Sequence, residues 1–156
     1  MNRGFIFTLF ILLCQLACTS QSRIEGTAIR IIDGDTFELL TSNKRPIRIR
    51  LFGIDAPEKN QEFGTASKQV LASRIFQKKV IVEKVNTDRN GRMVAVVYCD
   101  GVDINLYMIR SGMAWHFTRY SKRQDYANAE QAARSEKVGL WSHASPIAPW
   151  DFRHQK

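Results

Sequence analysis

Short runs of apolar and β-branched residues, bounded by turn-forming residues, recur five times along the chain. Three of these runs follow one another early in the sequence, and the first turn between them is Asp33-Gly34-Asp35. The last two runs flank Asn90-Gly91, a pair that favours a tight hairpin. The pattern predicts five strands, at Thr27 to Ile32, Thr36 to Leu40, Ile47 to Phe52, Val80 to Val85 and Met93 to Cys99.

Three further segments are interpreted as helices. The first has its apolar residues near helical spacing, so that they would form one face of an amphipathic helix. Each of the other two is followed by a glycine, the residue that most often ends a helix. The predicted helices cover Gln61 to Gln77, Asn105 to Ser111 and Arg123 to Lys137.

The predicted elements occur in the order three strands, one helix, two strands and two helices. This order is typical of an α+β protein built on an OB-fold, a small barrel whose face and loops can hold oligonucleotides. We therefore expect one domain over residues 23–143, a five-stranded OB-fold β-barrel with three helices. Residues 144–156, which include Pro146 and Pro149, are expected to form a loosely ordered C-terminal tail.

Residues 1–22 differ in composition from the rest of the chain, since Arg3 is their only charged residue and residues 5–13 are almost all apolar. An apolar run this short is typical of a signal peptide, because a membrane-spanning helix needs about 20 apolar residues. We expect cleavage between Ala17 and Ser22, which would place the protein in the periplasm or outside the cell. An uncleaved anchor, or lipid attachment to the membrane through Cys18, is the alternative.

The chain is strongly basic, with 23 lysine and arginine residues against 15 acidic ones and a net charge of +8. Removing the predicted signal peptide takes away only Arg3. A basic surface favours polyanions such as nucleic acids, although small exported proteins are often basic for other reasons.

Cysteine and histidine give little support for thiol or zinc chemistry. Cys99 is the one cysteine after residue 18, and it ends an apolar run, so we expect a small strand residue rather than a nucleophile. The histidines His116, His143 and His154 are scattered, without the spacing of a metal-binding motif. A zinc site is therefore not expected.

Two acidic turns are the first candidates for chemistry. Asp33-Gly34-Asp35-Thr36 lies between two predicted strands, where its carboxylates could serve only to cap the turn. The second turn, Asp55-Ala56-Pro57-Glu58, follows a strand that carries Arg50, and Pro57 favours an extended backbone at Ala56. It is either a rigid platform for two carboxylates or an exposed turn with an accidental spacing.

The oxygen atoms in these turns suit a calcium ion. Asp35, Asp55 and the carbonyl of Ala56 are hard ligands, which bind Ca²⁺ better than softer transition metals. Water and phosphate oxygens would complete the coordination, and the cation would polarise the phosphorus centre. Glu58, kept near the metal but not bound to it, would act as general base on the attacking water.

Two arginines could hold a phosphate beside these carboxylates. Arg50 lies on a predicted strand, and Arg92 follows the Asn90-Gly91 hairpin. Fixed guanidinium groups can neutralise the charge that develops on a phosphoryl group in the transition state. Alternatively, both arginines are surface charges or partners of the acidic turn. Together, the metal ligands, the base and the arginines form the minimum set for metal-assisted hydrolysis of a phosphodiester.

The motifs resemble those of the staphylococcal nuclease, or thermonuclease, family over residues 24–142. The matching motifs are Ile32-Asp33-Gly34-Asp35-Thr36, Arg50-Leu51, Asp55-Ala56-Pro57-Glu58, Thr87-Asp88, Gly91-Arg92 and Gly139-Leu140-Trp141-Ser142. The resemblance implies an OB barrel and a calcium-dependent nuclease that leaves 3′-phosphate and 5′-hydroxyl ends on DNA and RNA, and the predicted signal peptide implies that it is secreted. The site residues that it implies are Asp35, Asp55 and the Ala56 carbonyl for calcium, Glu58 for the water, and Arg50 and Arg92 for the phosphate.

The chain departs from the family pattern at several positions. Ala56 stands where the best-known member has threonine, which keeps a backbone ligand but loses a hydroxyl group. The basic loop after Glu58 is shorter here, and Asn90 replaces a tyrosine of that member's nucleotide pocket. Trp115 and Tyr120 are the candidates for stacking on bases, although such aromatic residues more often pack in the core or at its rim.

A non-catalytic OB module that binds single-stranded nucleic acid or a protein partner is the alternative function, since basic charge and aromatic residues fit it equally well. The pair Glu58 and Arg92 favours the enzyme, because a binding surface gains nothing from a carboxylate that repels phosphate. We therefore expect an endonuclease that acts as a monomer on DNA and RNA, prefers single strands, and uses Ca²⁺ but no small-molecule cofactor.

Overall fold

The computed structural model describes residues 23–155. The predicted signal peptide at residues 1–22, with Cys18, lies outside the described residues. Within residues 23–155, no helix combines the length and the apolar composition needed to cross a membrane.

The described residues form short strands and helices in alternating blocks. The strands are β1 (Arg23–Ile31), β2 (Thr36–Thr41), β3 (Pro46–Leu51), β4 (Ile54–Asp55), β5 (Lys79–Thr87), β6 (Met93–Cys99), β7 (Val102–Asp103) and β8 (Trp115–His116). The helices are α1 (Gly64–Ile75), α2 (Ile104–Arg110), α3 (Gln124–Ser135) and α4 (Pro149–His154), with a 3₁₀ turn at Gly139–Ser142.

The five longer strands close into a barrel. Neighbouring strands pair antiparallel in the order β3, β2, β1, β5 and β6. The barrel closes where β3 and β6 run parallel, with Ile49 opposite Met93 and Leu51 opposite Ala95. This closed sheet, with helices outside it, confirms the predicted α+β fold and the OB-type barrel.

Alternation along the strands places every second side chain inside the barrel. Phe37 and Leu39 on β2 are both fully buried, and so are Leu71 and Ile75, which lie one helical turn apart on α1. All four belong to one continuous apolar cluster that also includes residues of α2 and α3. This shared apolar cluster packs the helices against the barrel.

All five predicted strands and all three predicted helices are present, with shifted ends. β1 begins at Arg23 rather than Thr27, because its first residues pair with β5 beyond the apolar run. α1 begins at Gly64 rather than Gln61, because the chain after Glu58 first makes a turn in which the Gln61 amide donates to the Glu58 carbonyl at 2.9 Å.

Two features were not expected from the sequence. β4 and β8 form a second, very short sheet, in which Ile54 lies opposite His116 and Asp55 opposite Trp115. The expectation of a loosely ordered tail is wrong for residues 149–154, which form α4. A proline at the start of a helix loses no hydrogen bond, and here Pro149 is also buried.

Cys99 lies at the end of β6 and is 4% exposed, as expected for a small strand residue. It has no disulfide partner among residues 23–155. Burial raises the pKa of the Cys99 thiol, so the reactive thiolate is disfavoured.

Asn105 on α2 is fully buried and joins three backbone segments. Its Oδ1 accepts a hydrogen bond from the Val97 amide at 3.0 Å, and its Nδ2 donates to the carbonyls of Phe52 and Ala95 at 3.0 and 3.1 Å. The side chain therefore fixes α2 and β6 to the chain that leads into the acidic turn at Asp55.

Replacing Asn105 by alanine should lower the free energy of unfolding by about 3 kcal/mol, because it leaves buried backbone groups without partners. Urea denaturation followed by circular dichroism measures the loss. Asn128→Ala, on the exposed face of α3, is the matched control and should change stability by less than about 0.5 kcal/mol. Equal effects of the two substitutions would contradict this role of Asn105.

Candidate active site

Asp35 is held in place by its own turn and by β3. The Asp35 amide donates to the Asp33 carboxylate at 3.0 Å, which closes the turn before β2. The Asp35 carbonyl accepts from the Leu51 amide at 2.8 Å, which fixes Asp35 beside the end of β3. Asp35 is 5% exposed, so its carboxylate is held in a buried turn rather than in a free, solvent-exposed loop.

The two acidic turns lie against each other, as the metal-site hypothesis requires. The Ala56 amide donates to Oδ2 of Asp35 at 2.7 Å. Gly34 permits this contact, because a Cβ at that position would lie 2.7 Å from the Ala56 Cβ and 2.0 Å from the Ser67 hydroxyl. Any larger residue at Gly34 would push the first turn away from the second.

Asp55 lies on β4, where pairing with β8 keeps it 1% exposed. Gly53 makes the sharp bend before β4, with φ of 70°, and a Cβ there would lie 2.7 Å from the Ser121 side chain. The Gly53 carbonyl also accepts from the Phe117 amide at 2.9 Å. The bend and the pairing together turn Asp55 toward the end of β3.

Arg50 connects the two buried carboxylates. One of its Nη atoms lies 2.8 Å from Oδ1 of Asp55, and the other contacts Oδ2 of Asp35. The Arg50 side chain is only 13% exposed, so this guanidinium balances two negative charges within the protein. Arg50 is therefore not a free surface charge, and its contacts agree with the other alternative, a partner of the acidic turn.

Glu58 lies at the open side of this cluster and is more exposed than the aspartates, with 39% of its side chain exposed. Gln61 fixes its backbone, since the Glu58 amide donates to Oε1 of Gln61 at 3.0 Å. We use "acidic site" for Asp35, Asp55 and Glu58 together.

Arg153 on α4 contacts the acidic site and was not predicted from the sequence. Its Nη2 lies 2.7 Å from Oδ2 of Asp55, and its Nη1 lies 2.7 Å from Oε1 of Glu58 and 3.3 Å from Oδ1 of Asp55. The one local signal was Pro149, which favours the first turn of a helix. The contact itself joins residues 98 positions apart and leaves no trace in local sequence.

Packing of aromatic rings holds α4 against the barrel. The Trp150 ring stacks on Phe117, with centroids 5.1 Å apart and planes 9° apart, and also meets the edge of Trp115 at 5.5 Å. Gln61 adds a hydrogen bond from its Nε2 to the Ile147 carbonyl at 2.7 Å. The same Gln61 side chain that fixes Glu58 thus also binds the segment before α4.

The two candidate stacking residues have different surroundings. Trp115 is partly buried, because its ring lies 4.5 Å from Trp141 and has the Arg134 guanidinium 4.7 Å above it. Tyr120 is 62% exposed; its ring meets Phe117 at 4.8 Å, and the Arg119 guanidinium lies 5.8 Å from its ring centroid. Tyr120 is therefore the more accessible of the two rings, whereas Trp115 contributes to packing.

Arg92 does not contact the acidic site. It lies just before β6, and its Nε donates to Oδ2 of Asp88 at 2.7 Å within its own hairpin. Because β6 runs beside β3 with Val94 opposite Arg50, Arg92 immediately precedes the strand next to the one that carries Arg50.

Burial raises the pKa of two aspartates in this region, Asp33 and Asp55. Burial raises the pKa of Asp55, while the hydrogen bond from Arg153 opposes this effect. Burial and the neighbouring charge of Asp35 raise the pKa of Asp33 to about 7. Burial alone would lower the pKa of Arg153, but its hydrogen bonds to Asp55 and Glu58 raise it.

The donor atoms of the acidic site fit a hard cation. No three His, Cys, Asp or Glu side chains within residues 23–155 form a metal-binding cluster by themselves. Asp35 and Asp55 nevertheless lie on either side of the Arg50 guanidinium, and the Ala56 amide donates a hydrogen bond to Asp35. Two carboxylates and a carbonyl suit a cation that takes its remaining ligands from water and phosphate.

Comparison with known proteins gives an independent indication of function. Residues 48–143 match the family described as staphylococcal nuclease homologue. An uncharacterized endonuclease of Escherichia coli O157:H7 is 40% identical over 157 residues, covering 100% of both chains. An uncharacterized endonuclease of Haemophilus influenzae is 38% identical, over 99% of this chain and 88% of the relative. A micrococcal nuclease of Shigella flexneri is 39% identical, over 82% of this chain and 79% of the relative.

The raised pKa of Asp33 predicts a pH-dependent effect of Asp33→Asn. A carboxyl group whose pKa is raised by folding stabilises the protein at low pH, and that stabilisation is lost as the pH rises through about 7. Asparagine cannot ionise but can still accept the hydrogen bond from the Asp35 amide. The free energy of unfolding of the variant, relative to the parent protein, should therefore increase between about pH 4 and pH 8.

Thermal or urea unfolding at several pH values, with a chelator present, measures this difference. Asp100→Asn, which removes an exposed carboxylate, is the control and should show no such trend. A difference that stays constant or decreases with pH would contradict the assignment.

Proposed function

Because this chain belongs to the staphylococcal nuclease family and is a nuclease, we propose that it is a calcium-dependent endonuclease of the thermonuclease type. It would hydrolyse the phosphodiester backbone of DNA and RNA and leave 3′-phosphate and 5′-hydroxyl ends. The observation that carries the proposal is the joining of the two acidic turns, with Arg50 between Asp35 and Asp55. The nuclease relatives also favour catalysis over the non-catalytic OB module.

Asp35, Asp55 and the Ala56 carbonyl would hold the cation. Nucleases of this family use a metal ion, and a set of three oxygen donors supports calcium over softer metals. A bound calcium ion would polarise the phosphate and order a water molecule beside it. The burial of both aspartates favours a strong attraction for a cation, because water screens their charges little.

Glu58 would act as the general base. Its position at the open side of the acidic site gives its carboxylate access to water, while the Gln61 contacts hold its backbone. A proton taken from the attacking water would pass to one of the Glu58 oxygens. The more buried Asp55, engaged by two guanidinium groups, is less suited to that role.

Arg50 on β3 and Arg92 in the hairpin before β6 would bind the substrate phosphate. Arg50 is fixed in the acidic site, whereas Arg92 is paired with Asp88 at its hairpin. A phosphate oxygen would compete with Asp88 for the Arg92 guanidinium, since both are anionic acceptors. Charge that develops on the phosphoryl oxygens would then lie between two cationic groups.

The exposed ring of Tyr120 supports a preference for single strands, whose unstacked bases can pack on an aromatic face. Trp115 would contribute at the edge of the same surface, through the packing of Phe117 and Trp150. We also propose export to the periplasm or the extracellular medium, on the composition of residues 1–22 alone.

Cleavage of heat-denatured DNA by the purified protein, with calcium titrated against excess chelator, tests the proposed activity. We expect cleavage only when free calcium is present, and product mapping should find 3′-phosphate ends. RNA in parallel reactions should be cut with the same end chemistry. Equal cleavage without divalent cations, or 5′-phosphate products, would overturn the proposed mechanism.

Glu58→Gln should reduce turnover by about 100-fold or more, because the amide cannot accept the proton from water. DNA affinity, measured by fluorescence anisotropy, should change little. Glu62→Gln is the matched control, since Glu62 lies in the same segment with 63% of its side chain exposed. Turnover that is equal in the Glu58 and Glu62 variants would remove Glu58 from the role of base.

A further inference from the structure

α4 places a positive charge on the carboxylates that the proposed function assigns to the metal and to the base. We propose that Arg153 is a positioning residue that competes with the divalent cation for Asp55 and thereby sets the cation affinity of the acidic site. The inference rests on the proposed function for the place of the cation. It adds a residue outside the 48–143 segment that matches the family.

The contacts of Asp55 leave little room for another cation while Arg153 is bound. Its Oδ2 lies 2.7 Å from Nη2 of Arg153, and its Oδ1 lies 2.8 Å from Nη2 of Arg50 and 3.3 Å from Nη1 of Arg153. Both carboxylate oxygens are therefore already charge-paired. A metal ion at Asp55 must replace the guanidinium of Arg153, because both would lie at the same oxygens and repel each other.

The same guanidinium also binds Glu58, with its Nη1 2.7 Å from Oε1. One side chain thus holds together the carboxylate proposed for the metal and the carboxylate proposed for the water. Entry of a cation at Asp55 would release Glu58 as well, so the base would become free when the metal arrives.

Burial determines which partner leaves. The Arg153 side chain is 42% exposed, whereas the Asp55 side chain is 2% exposed. When the pair separates, Arg153 can be hydrated at once, but Asp55 stays in the protein and needs another positive charge. Arg50 is a poor candidate for leaving, because its side chain is only 13% exposed and bridges two aspartates.

α4 can stay docked during this exchange. The Trp150 ring stacks on Phe117 and meets Trp115, and Pro149 is buried, without any participation of Arg153. The helix therefore keeps the guanidinium close to Asp55 after it is displaced. A tethered competitor of this kind weakens cation binding by a constant factor at every protein concentration.

Isothermal titration calorimetry of the purified protein with calcium tests the competition without using activity. Arg153→Gln, which removes the charge, should bind calcium at least about fivefold more tightly than the parent protein. Arg153→Lys keeps a charge but loses the forked contact, and its affinity should lie between the two. Lys59→Gln is the matched control, because it removes an exposed positive charge at the residue after Glu58.

The size of the Lys59 effect separates direct competition from a general change in charge. The gain in calcium affinity should be clearly larger for Arg153→Gln than for Lys59→Gln. Asp55→Asn should weaken calcium binding when it is added to either of these variants. If the Arg153 and Lys59 variants bind calcium equally and the binding still requires Asp55, the competition is overturned but the proposed metal site is not. Calcium binding that Asp55→Asn does not change would overturn the metal site and the competition together.

Circular dichroism and melting temperatures show whether each variant is folded. If Arg153→Gln unfolds, the comparison of Arg153→Lys with the parent protein decides the question. An affinity for calcium that is unchanged or lower in Arg153→Lys would then contradict the proposal.

Discussion

The burial of two carboxylates next to each other is the constraint on which the rest of this structure depends. Asp35 and Asp55 are 5% and 1% exposed, and each would be strongly disfavoured as an anion without a cation beside it. Arg50 on β3 supplies that charge to both aspartates, and Arg153 on α4 supplies a second positive charge to Asp55. The two aspartates are therefore already ion-paired with arginines, and any added cation must change these pairs.

The scaffold of the site is built from contacts that tolerate few alternatives. Gly34 allows one acidic turn to touch the other, and Gly53 makes the bend that brings Asp55 inward. Asn105 ties the preceding segment to β6 and α2 through buried hydrogen bonds. Arg50 lies on β3, and β3 pairs with β6, which begins immediately after Arg92. The acidic site thus depends on the interior of the fold as much as on its loops.

The sequence was sufficient to predict the five barrel strands, α1, α2 and α3, because each has a local pattern of several residues. It also identified Asp35, Asp55 and Arg50, which the fold does bring together. The β4–β8 pair was missed because two-residue strands have no periodicity. Arg153 was missed because its meeting with Asp55 is a tertiary contact at the far end of the chain. Arg92 pairs with Asp88 in its own hairpin. The motif alone did not show whether Arg92 would pair there or with the acidic site.

The aromatic packing around Trp115 has a spectroscopic consequence. The chain has three tryptophans, and Trp141 and Trp150 both lie within 5.5 Å of Trp115, ring centre to ring centre. Tryptophan fluorescence thus comes from one region of the molecule, where β8, the 3₁₀ turn and α4 meet. Emission would record the detachment of this region, whereas far-ultraviolet dichroism would record the barrel. Transition curves from the two probes would coincide only if the terminal segment and the barrel unfold as one cooperative unit.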